Sequence, residues 1–188
     1  GTVTGISVGG LPDGIVDTDM LANNAVTAAK SSGSAKGITQ ADQWRVTSVF
    51  DTQGATVESN WERNDTDFAL IGSGMTQSSG IFTFPETGIY SVKFMASGYK
   101  SSAYVRYVGV VIQATVNNSS YSTRSEAYNS ISDDTSAYAM AVAECIFDVT
   151  DTSTHKVRFR AEGESSVTWS ASSNAQIMGA TFIRLGDT

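Results

Sequence analysis

The chain has 188 residues, of which 40% are hydrophobic and only 16% are charged, enough apolar residues for the core of one domain. Its formal net charge is -7 and it contains no cluster of Lys and Arg, which argues against nucleic acid or an anionic membrane as a partner. No apolar run reaches the length of a membrane span, so we expect no membrane insertion.

The first 40 residues differ from the rest because they contain no aromatic side chain. A core needs large side chains, and from Trp44 onward aromatic residues occur at short intervals. The stretch KSSGSAKG, residues 30–37, predicts a flexible joint. We therefore expect two parts, a stem or linker over residues 1–40 and a folded head over residues 41–188.

The segment DGIVDTDMLANNAVTAAK, residues 13–30, is half apolar, but it is too short to bury a core by itself. A helix of one or two turns is predicted over Met20–Ala22, with Asp17 or Thr18 as its N-cap. Such a segment needs other chains to pack against, and a disordered linker is the alternative.

After residue 40 the sequence has the period-two pattern of half-buried strands. In GIYSVKFMASG, residues 88–98, the apolar side chains fall on one face, and HKVRFRAEG, residues 155–163, repeats the pattern. Turn-forming clusters separate such runs at short spacing, and no long helix is predicted. The sequence therefore predicts an all-β antiparallel sandwich or jelly roll.

The run AYVRYVGVVIQATV, residues 103–116, is apolar on both faces. A strand of this kind is covered twice, once by its own sandwich and once by something else.

Few residues offer catalytic chemistry. The single Cys145 excludes an internal disulfide and is interpreted as a buried small apolar residue, while the single His155 is interpreted as a solvated residue at a strand edge. No nucleophile-elbow, zinc-protease, phosphate-loop or dinucleotide-binding motif occurs, so we expect no enzyme.

Two alternatives that involve acidic residues stay open. Paired carboxylates for glycoside cleavage are available in predicted turns, where acidic residues are also ordinary turn formers: Glu62, Asp65, Asp67, Asp133, Asp134, Asp148 and Asp151. NDTD, residues 64–67, and DVTD, residues 148–151, offer carboxylates to Ca²⁺, but neither has the spacing of a dedicated calcium loop. No other cofactor is expected.

The stretch GIFTFPETGIYSVKF, residues 80–94, resembles the globular head of complement component one-q, a jelly roll shared with the tumour necrosis factor superfamily. The resemblance extends over residues 40–186 through VVIQATVNN, ECIFDVTDTSTHKVRF and IMGATFIRL. The matching motif is an aromatic residue, proline, glycine, an apolar residue and tyrosine, here Phe82 or Phe84, Pro85, Gly88, Ile89 and Tyr90.

Residues 1–40 resemble stem segments of tail fibres and other structural proteins of tailed bacteriophages, including marine ones. One copy of their repeating unit is present, as Gly14, Ile15, Leu21, Ala22, Asn24, Ala25, Val26, Thr27 and Lys30.

Both resemblances imply a homotrimer. Three stems would bury Ile15, Leu21 and Val26 against each other, and a neighbouring subunit would cover the second apolar face of residues 103–116. The expected function is host-surface attachment by a virion fibre protein, with other virion structural proteins and a host cell-surface carbohydrate or protein as partners. The alternatives are a secreted complement-type recognition or lectin-like domain, disfavoured because a collagen repeat is absent, and a tail-borne polysaccharide hydrolase.

Alternating strand directions predict which turns lie far from the stem. With residues 42–50 rising and 79–97 taken as one descending strand, the turns at 117–121, 150–154 and 172–175 share the far end, along with part of residues 51–67. The turns at 98–102, 132–136 and 163–165 are expected at the opposite end. The predicted receptor-binding residues in the far turns, each also an ordinary turn former, are Asn117, Asn118, Tyr121, Asp151 and Asn174.

Overall fold

The computed structural model describes residues 37–100, 105–134, 137–164 and 166–188. The chain divides into two units, residues 1–37 and residues 38–188, and the described residues belong almost entirely to the second. The predicted stem helix and the predicted contacts of Ile15, Leu21 and Val26 lie outside the described residues.

Every regular element in the described ranges is a β-strand, which confirms the all-β prediction. None of these ranges contains a helix long and apolar enough to cross a membrane. The eleven strands are β1 (Ala41–Val46), β2 (Trp61–Arg63), β3 (Thr76–Ser78), β4 (Ile81–Thr83), β5 (Gly88–Lys100), β6 (Tyr107–Thr115), β7 (Ser122–Ser130), β8 (Tyr138–Val149), β9 (Lys156–Gly163), β10 (Val167–Trp169) and β11 (Gly179–Gly186).

The strands form two antiparallel sheets that pack face to face. In the first sheet, β5 pairs with β8 on one side and with β11 and β10 on the other, and β11 leads on to β1 and β2. The second sheet has the order β3-β4-β9-β6-β7. Strands β7 and β8 lie on the same side of the sandwich, where the Asn129 side-chain amide donates a hydrogen bond to the Met140 carbonyl at 3.1 Å.

An aromatic cluster fills the space between the sheets. The ring of Phe82, which is fully buried, lies 5.0 to 5.5 Å from the rings of Trp44, Trp61, Phe159 and Phe182. Aromatic pairs at these separations contribute about 0.5–1.5 kcal/mol each beyond their buried area. Because the four partners come from β1, β2, β9 and β11, the cluster ties both sheets together.

The segment predicted as one strand, residues 79–97, is two strands in different sheets. Strand β4 belongs to the second sheet and β5 to the first, and residues 84–87 turn the chain between them. Pro85 lies in this turn, where the missing backbone N–H of proline interrupts a strand. The prediction of a single strand is therefore wrong.

The complement-like motif closes this turn. The Tyr90 hydroxyl donates to the Glu86 carbonyl at 3.0 Å, and the Arg184 Nε–H donates to the Thr87 carbonyl at 2.9 Å. Gly88 has a φ of 148°, and a Cβ at this position would collide with the Arg184 side chain. Glycine and tyrosine are thus required here for the backbone conformation and for a hydrogen bond.

The two ends of the sandwich are defined by its first strand. Strand β1 begins at the proximal end, which also carries the turn 84–87, the loops 116–121 and 150–155, and the last residues of β11. The distal end carries the connections from β5 to β6, from β7 to β8 and from β9 to β10, together with residues 47–56 and 170–178.

The reversal at residues 84–87 corrects the predicted strand directions. Strand β5 runs in the same direction as β1, since both are antiparallel to β11. The loops at 117–121 and 150–154 therefore lie at the proximal end rather than the far end. Strands β10 and β11 both run antiparallel to β5, so residues 170–178 turn the chain back and remain at the distal end.

The second face of β6 is covered within the chain itself. Val111 on this outer face is 2% exposed, Tyr128 lies over Gly109, and Arg158 donates from Nε to the Gln113 side-chain oxygen at 2.9 Å. Long side chains of β7 and β9 provide this cover. The expectation that a neighbouring subunit covers residues 103–116 is therefore wrong for the described part of that strand.

Candidate interaction surfaces

The five predicted receptor-binding residues do not form one group. Asn117, Asn118, Tyr121 and Asp151 lie in the two loops of the proximal end, whereas Asn174 lies at the distal end. The Asn118 backbone N–H donates to the Thr154 carbonyl at 2.9 Å, so the two proximal loops are joined to each other.

Asn117 and Asp151 both organise their own turns. The Asn117 side-chain oxygen accepts hydrogen bonds from the backbone N–H groups of Ser119 and Ser120 at 3.0 and 2.9 Å. The Asp151 Oδ1 accepts from the hydroxyl and the backbone N–H of Ser153 at 2.7 and 2.8 Å, and these bonds lower the pKa of Asp151. Both side chains thus form the local turns typical of Asn and Asp.

Tyr121 and Asn174 have different surroundings. The Arg158 guanidinium lies 4.2 Å from the centroid of the Tyr121 ring, and burial raises the pKa of the Tyr121 hydroxyl. Asn174 is exposed, and its backbone N–H donates to the Ser172 hydroxyl at 3.1 Å. The receptor-binding role of all five residues stays a prediction.

His155 is buried, so its interpretation as a solvated edge residue is wrong. Its ring lies 5.8 Å from that of Phe147, and its Nε2 and Nδ1 lie 3.3 and 3.1 Å from the hydroxyls of Thr150 and Thr154. The loop folds back because the His155 N–H donates to the Asp151 carbonyl at 2.9 Å. The imidazole is therefore held between two hydroxyls of its own loop.

Cys145 is on the inward side of β8 but is only half-buried. It packs against the core, and burial raises the pKa of its thiol. A raised pKa favours the protonated thiol over the nucleophilic thiolate.

The outward side of β8 exposes large apolar side chains. Tyr138, Met140, Val142 and Ile146 are 67%, 41%, 47% and 62% exposed. The inward side of the same strand carries the small residues Ala139, Ala141, Ala143 and Cys145, and larger residues, Phe147 and Val149, face inward only at its proximal end. The usual distribution of large residues inside and small or polar ones outside is thus reversed over residues 138–146.

This surface continues onto neighbouring strands. Met95 and Tyr99 of β5 lie opposite Val142 and Tyr138, and the rings of Tyr99 and Tyr138 are 5.2 Å apart. Leu185 at the end of β11 is half exposed. We call the following set the apolar face: Met95, Tyr99, Tyr138, Met140, Val142, Ile146 and Leu185.

A small polar centre interrupts the apolar face. The Ser91 hydroxyl donates to the Glu144 carboxylate at 2.7 Å, and Lys93 lies directly opposite Glu144 in the strand register. An exposed surface with several large apolar side chains around a small polar centre is typical of a protein-protein interface. The alternation of large and small residues in YAMAVAECI, residues 138–146, is the sequence signal of this surface, and the sequence-based predictions did not include it.

The other side of the first sheet, at strands β1 and β2, carries charged side chains that form ion pairs with each other. Arg45 is 2% exposed and contacts Glu62 and Asp65 at 3.0 and 2.5 Å, and this contact lowers the pKa of Asp65. These two carboxylates therefore neutralise a buried guanidinium. Among the described residues, no group of three or more His, Cys, Asp or Glu side chains is placed to hold a metal ion, so the calcium alternative gains no support.

A cleft of about 300 Å³ lies beside the distal end, within the loop between β1 and β2. The loop is anchored by Gln53, whose amide donates to the Val167 carbonyl and whose oxygen accepts from the Trp169 indole, both at 2.7 Å. Residues that line the cleft include Phe50, Thr52, Thr56, Glu58, Ser59 and Asn60.

No family model matches the chain, and no curated protein matches its sequence. Solved structures with a similar fold do occur. Eiger TNF from S. frugiperda matches with a TM-score of 0.61 and 13% identity over 79% of this chain and 93% of that chain. Murine APRIL matches with a TM-score of 0.54 and 13% identity over 78% of this chain and 98% of that chain.

Identities this low are evidence of the fold alone. The similarity agrees with the two-sheet antiparallel arrangement. The described head of the chain is a tumour-necrosis-factor-like jelly roll.

Proposed function

We propose that the chain is a homotrimeric attachment protein of a virion surface, and that the apolar face is its subunit interface. A jelly roll of this type is typical of trimeric ligand and recognition domains. The resemblance of residues 1–40 to phage fibre stems supports the virion setting.

The apolar face carries this proposal. Complete burial of a large apolar side chain stabilises a protein by about 1.5–3 kcal/mol, and several such side chains are still exposed here. A soluble monomer that left them in water would risk aggregation.

A threefold ring fits this face better than a twofold dimer. A ring needs two different surfaces on each subunit, whereas a dimer places the same patch on both sides of the interface. The apolar face supplies one surface, and the side of the sandwich at the edge strand β7 supplies the other. Pairing also protects edge strands that would otherwise invite nonspecific association.

Attachment is proposed at the distal end. The polypeptide reaches the head at the proximal end, where β1 begins, so the distal loops are the ones that lie opposite the point of connection. Loops carry function because a rigid scaffold holds them while their sequence varies. Of the five predicted binding residues only Asn174 lies at this end, and we therefore place the contact in residues 47–60 and 170–178.

Cell binding tests the role. The labelled full chain is mixed with a panel of bacterial isolates and with animal cells, and bound label is measured by flow cytometry. We expect a subset of the bacteria to be labelled, and we expect replacement of residues 173–175 by glycines to reduce the label, while the same change at 119–120 leaves it intact. The mass in solution is measured for each variant.

Other outcomes separate the alternatives. Label on animal cells alone would favour a complement-type recognition domain, and release of soluble oligosaccharide from bacterial polysaccharide would favour the hydrolase. Loss of bacterial labelling only after the proximal change would contradict the proposed orientation.

A further inference from the structure

The cleft in the loop between β1 and β2 has the chemistry of a small binding site. Its volume, about 300 Å³, lies at the lower limit for pockets that hold an organic ligand. Such a volume accommodates one ring-sized group rather than an extended chain. The cleft is separate from the apolar face, which is formed by β5, β8 and β11.

The polar side chains of the cleft form no hydrogen bonds within the described part of the chain. The side chains of Thr52, Glu58, Ser59 and Asn60 line it, and none of them hydrogen-bonds to another described residue. Hydroxyl groups both donate and accept, an amide does so through separate atoms, and a carboxylate accepts only. The set therefore matches a ligand whose own groups both donate and accept.

The charge of the cleft excludes one ligand class. No Lys, Arg or His lines it, while Glu58 brings a negative charge. Phosphate, sulfate and carboxylate ligands would meet repulsion without a compensating cation. The ligand must therefore be uncharged or cationic.

An apolar wall completes the site. Phe50 lines the cleft, and its ring lies 6.5 Å from that of Trp169, a fully buried residue. The backbone of Phe50 accepts a hydrogen bond from the Trp169 N–H at 2.8 Å, so the aromatic ring is held in place. A fixed aromatic surface favours a ligand that has one apolar face.

The backbone of Asn60, at the rim of the cleft, has a conformation that few residue types adopt. Asn60 has a φ of 62°, in the left-handed region that asparagine tolerates better than most residues. Its carbonyl accepts a hydrogen bond from the Thr47 N–H at 2.9 Å. The amide is thereby presented from a fixed turn.

We propose that this cleft binds one uncharged sugar ring of a saccharide, with its hydroxyls bonded to Glu58, Asn60 and the neighbouring hydroxyl side chains, and its apolar C–H face against Phe50. A neutral pyranose combines ring size, mixed donors and acceptors, no negative charge and one apolar face. This inference rests on the proposed attachment role, for which it names the ligand class. Sugar binding itself is measured without cells, so it is tested separately from attachment.

The test uses the full chain and a set of methyl glycosides. Neutral hexosides, an anionic uronide and a cationic amino-sugar glycoside are titrated separately, and binding is followed by chemical-shift changes and calorimetry. We expect at least one neutral hexoside to bind with a millimolar dissociation constant, and the uronide not to bind.

Three variants locate the binding. Asn60→Gly keeps the left-handed backbone and removes the amide, and it should weaken binding about 3–10-fold through the loss of one hydrogen-bonding group. Phe50→Leu keeps the apolar volume and loses the flat ring, with a similar expected loss, and its melting temperature is measured to exclude unfolding. Thr123→Ala, at an exposed position of β7 outside both the cleft and the proposed contact, should bind as the original chain does.

Two outcomes would overturn the inference. One is that no neutral glycoside binds, or that only the charged ones do. The other is that binding survives both cleft variants, which would place the sugar elsewhere. If the chain labels bacteria but binds no sugar, this inference is wrong and the attachment role is kept. If the chain binds sugar but labels no bacteria, the attachment role is wrong and this inference is kept.

Discussion

Asp42 is the most completely partnered carboxylate in the described head. Its side chain is 2% exposed and accepts hydrogen bonds from the Trp44 indole at 2.9 Å, the Arg63 guanidinium at 3.0 Å and the Met75 N–H at 2.7 Å. It therefore joins β1, β2 and the start of β3 at one point. Its contribution follows from hydrogen bonds to a charged group rather than from apolar area.

We expect Asp42→Asn to lower the free energy of unfolding by about 2 kcal/mol, because the neutral amide weakens the bonds to Arg63 and Trp44. Urea denaturation at fixed protein concentration measures the change. The matched control is Asp67→Asn at an exposed position with a φ of 51°, where the change should stay within about 0.5 kcal/mol. Equal effects of the two changes would refute the role assigned to Asp42.

Asp151 makes stability depend on pH in the acid range. Its hydrogen bonds to Ser153 hold its pKa in the folded chain below the value of about 3.9 found in unfolded peptides. A group of this kind contributes stability that is fully present above the unfolded pKa and is lost as pH falls through the folded pKa.

We therefore expect Asp151→Asn, which keeps the turn but cannot titrate, to lose less stability between pH 5 and pH 2 than the original chain. Urea midpoints across this range, with protein concentration held constant, provide the measurement. An identical acid dependence in the two proteins would show that Asp151 does not contribute.

Among the elements, β8 explains why the apolar face is exposed. Over residues 138–146 its inward residues are small and its large apolar residues point outward. The cross-strand pairs of Met95 with Val142 and Tyr99 with Tyr138 extend this surface onto β5. The strand is thus built for contact on both of its faces.

We expect Ile146→Glu to convert the assembly to monomers while the head stays folded, because three carboxylates would have to be buried in the interface. Light scattering gives the mass, and circular dichroism gives the fold. Val49→Glu is the matched control, since Val49 is 60% exposed but lies outside the apolar face. A trimer that tolerates Glu at position 146 would rule out this face as the interface.

The sequence predicted the class of these elements better than their directions. The alternation in residues 88–98 and 155–163 was sufficient for strands, and the buried positions of Tyr90, Val92 and Phe159 confirm it. The reversal at residues 84–87 was missed because the period-two alternation keeps its phase across it, with Phe82 and Phe84 before the turn and Tyr90 and Val92 after it. The turn residues PETG that interrupt this alternation were not interpreted as a reversal. One missed reversal inverted the directions from β5 onward, as far as β10.

Surfaces were harder to predict than strands, for a physical reason. Whether an apolar face is open depends on which long side chains lie across it, and these come from other strands. Tyr128 and Arg158 cover β6, which was expected to be open, while no described side chain covers β8 in the same way. The burial of His155 likewise depends on the fold of its loop.

At the scale of the whole molecule, the interface belongs to the head. All residues of the apolar face lie within the unit of residues 38–188. We therefore expect removal of residues 1–37 to leave the oligomer intact, with a mass reduced only by the missing segment, as measured by analytical ultracentrifugation. Dissociation on truncation would instead place the main contact in the N-terminal segment.

The mass of the full chain in solution tests the central claim most directly. At micromolar concentration, multi-angle light scattering should give three times the chain mass of 19.8 kDa, about 59 kDa. This result is expected because the apolar face and the side of the sandwich at the edge strand β7 offer two different contact surfaces on one subunit. A particle of about 20 kDa would contradict the account, since the apolar face would then remain in water.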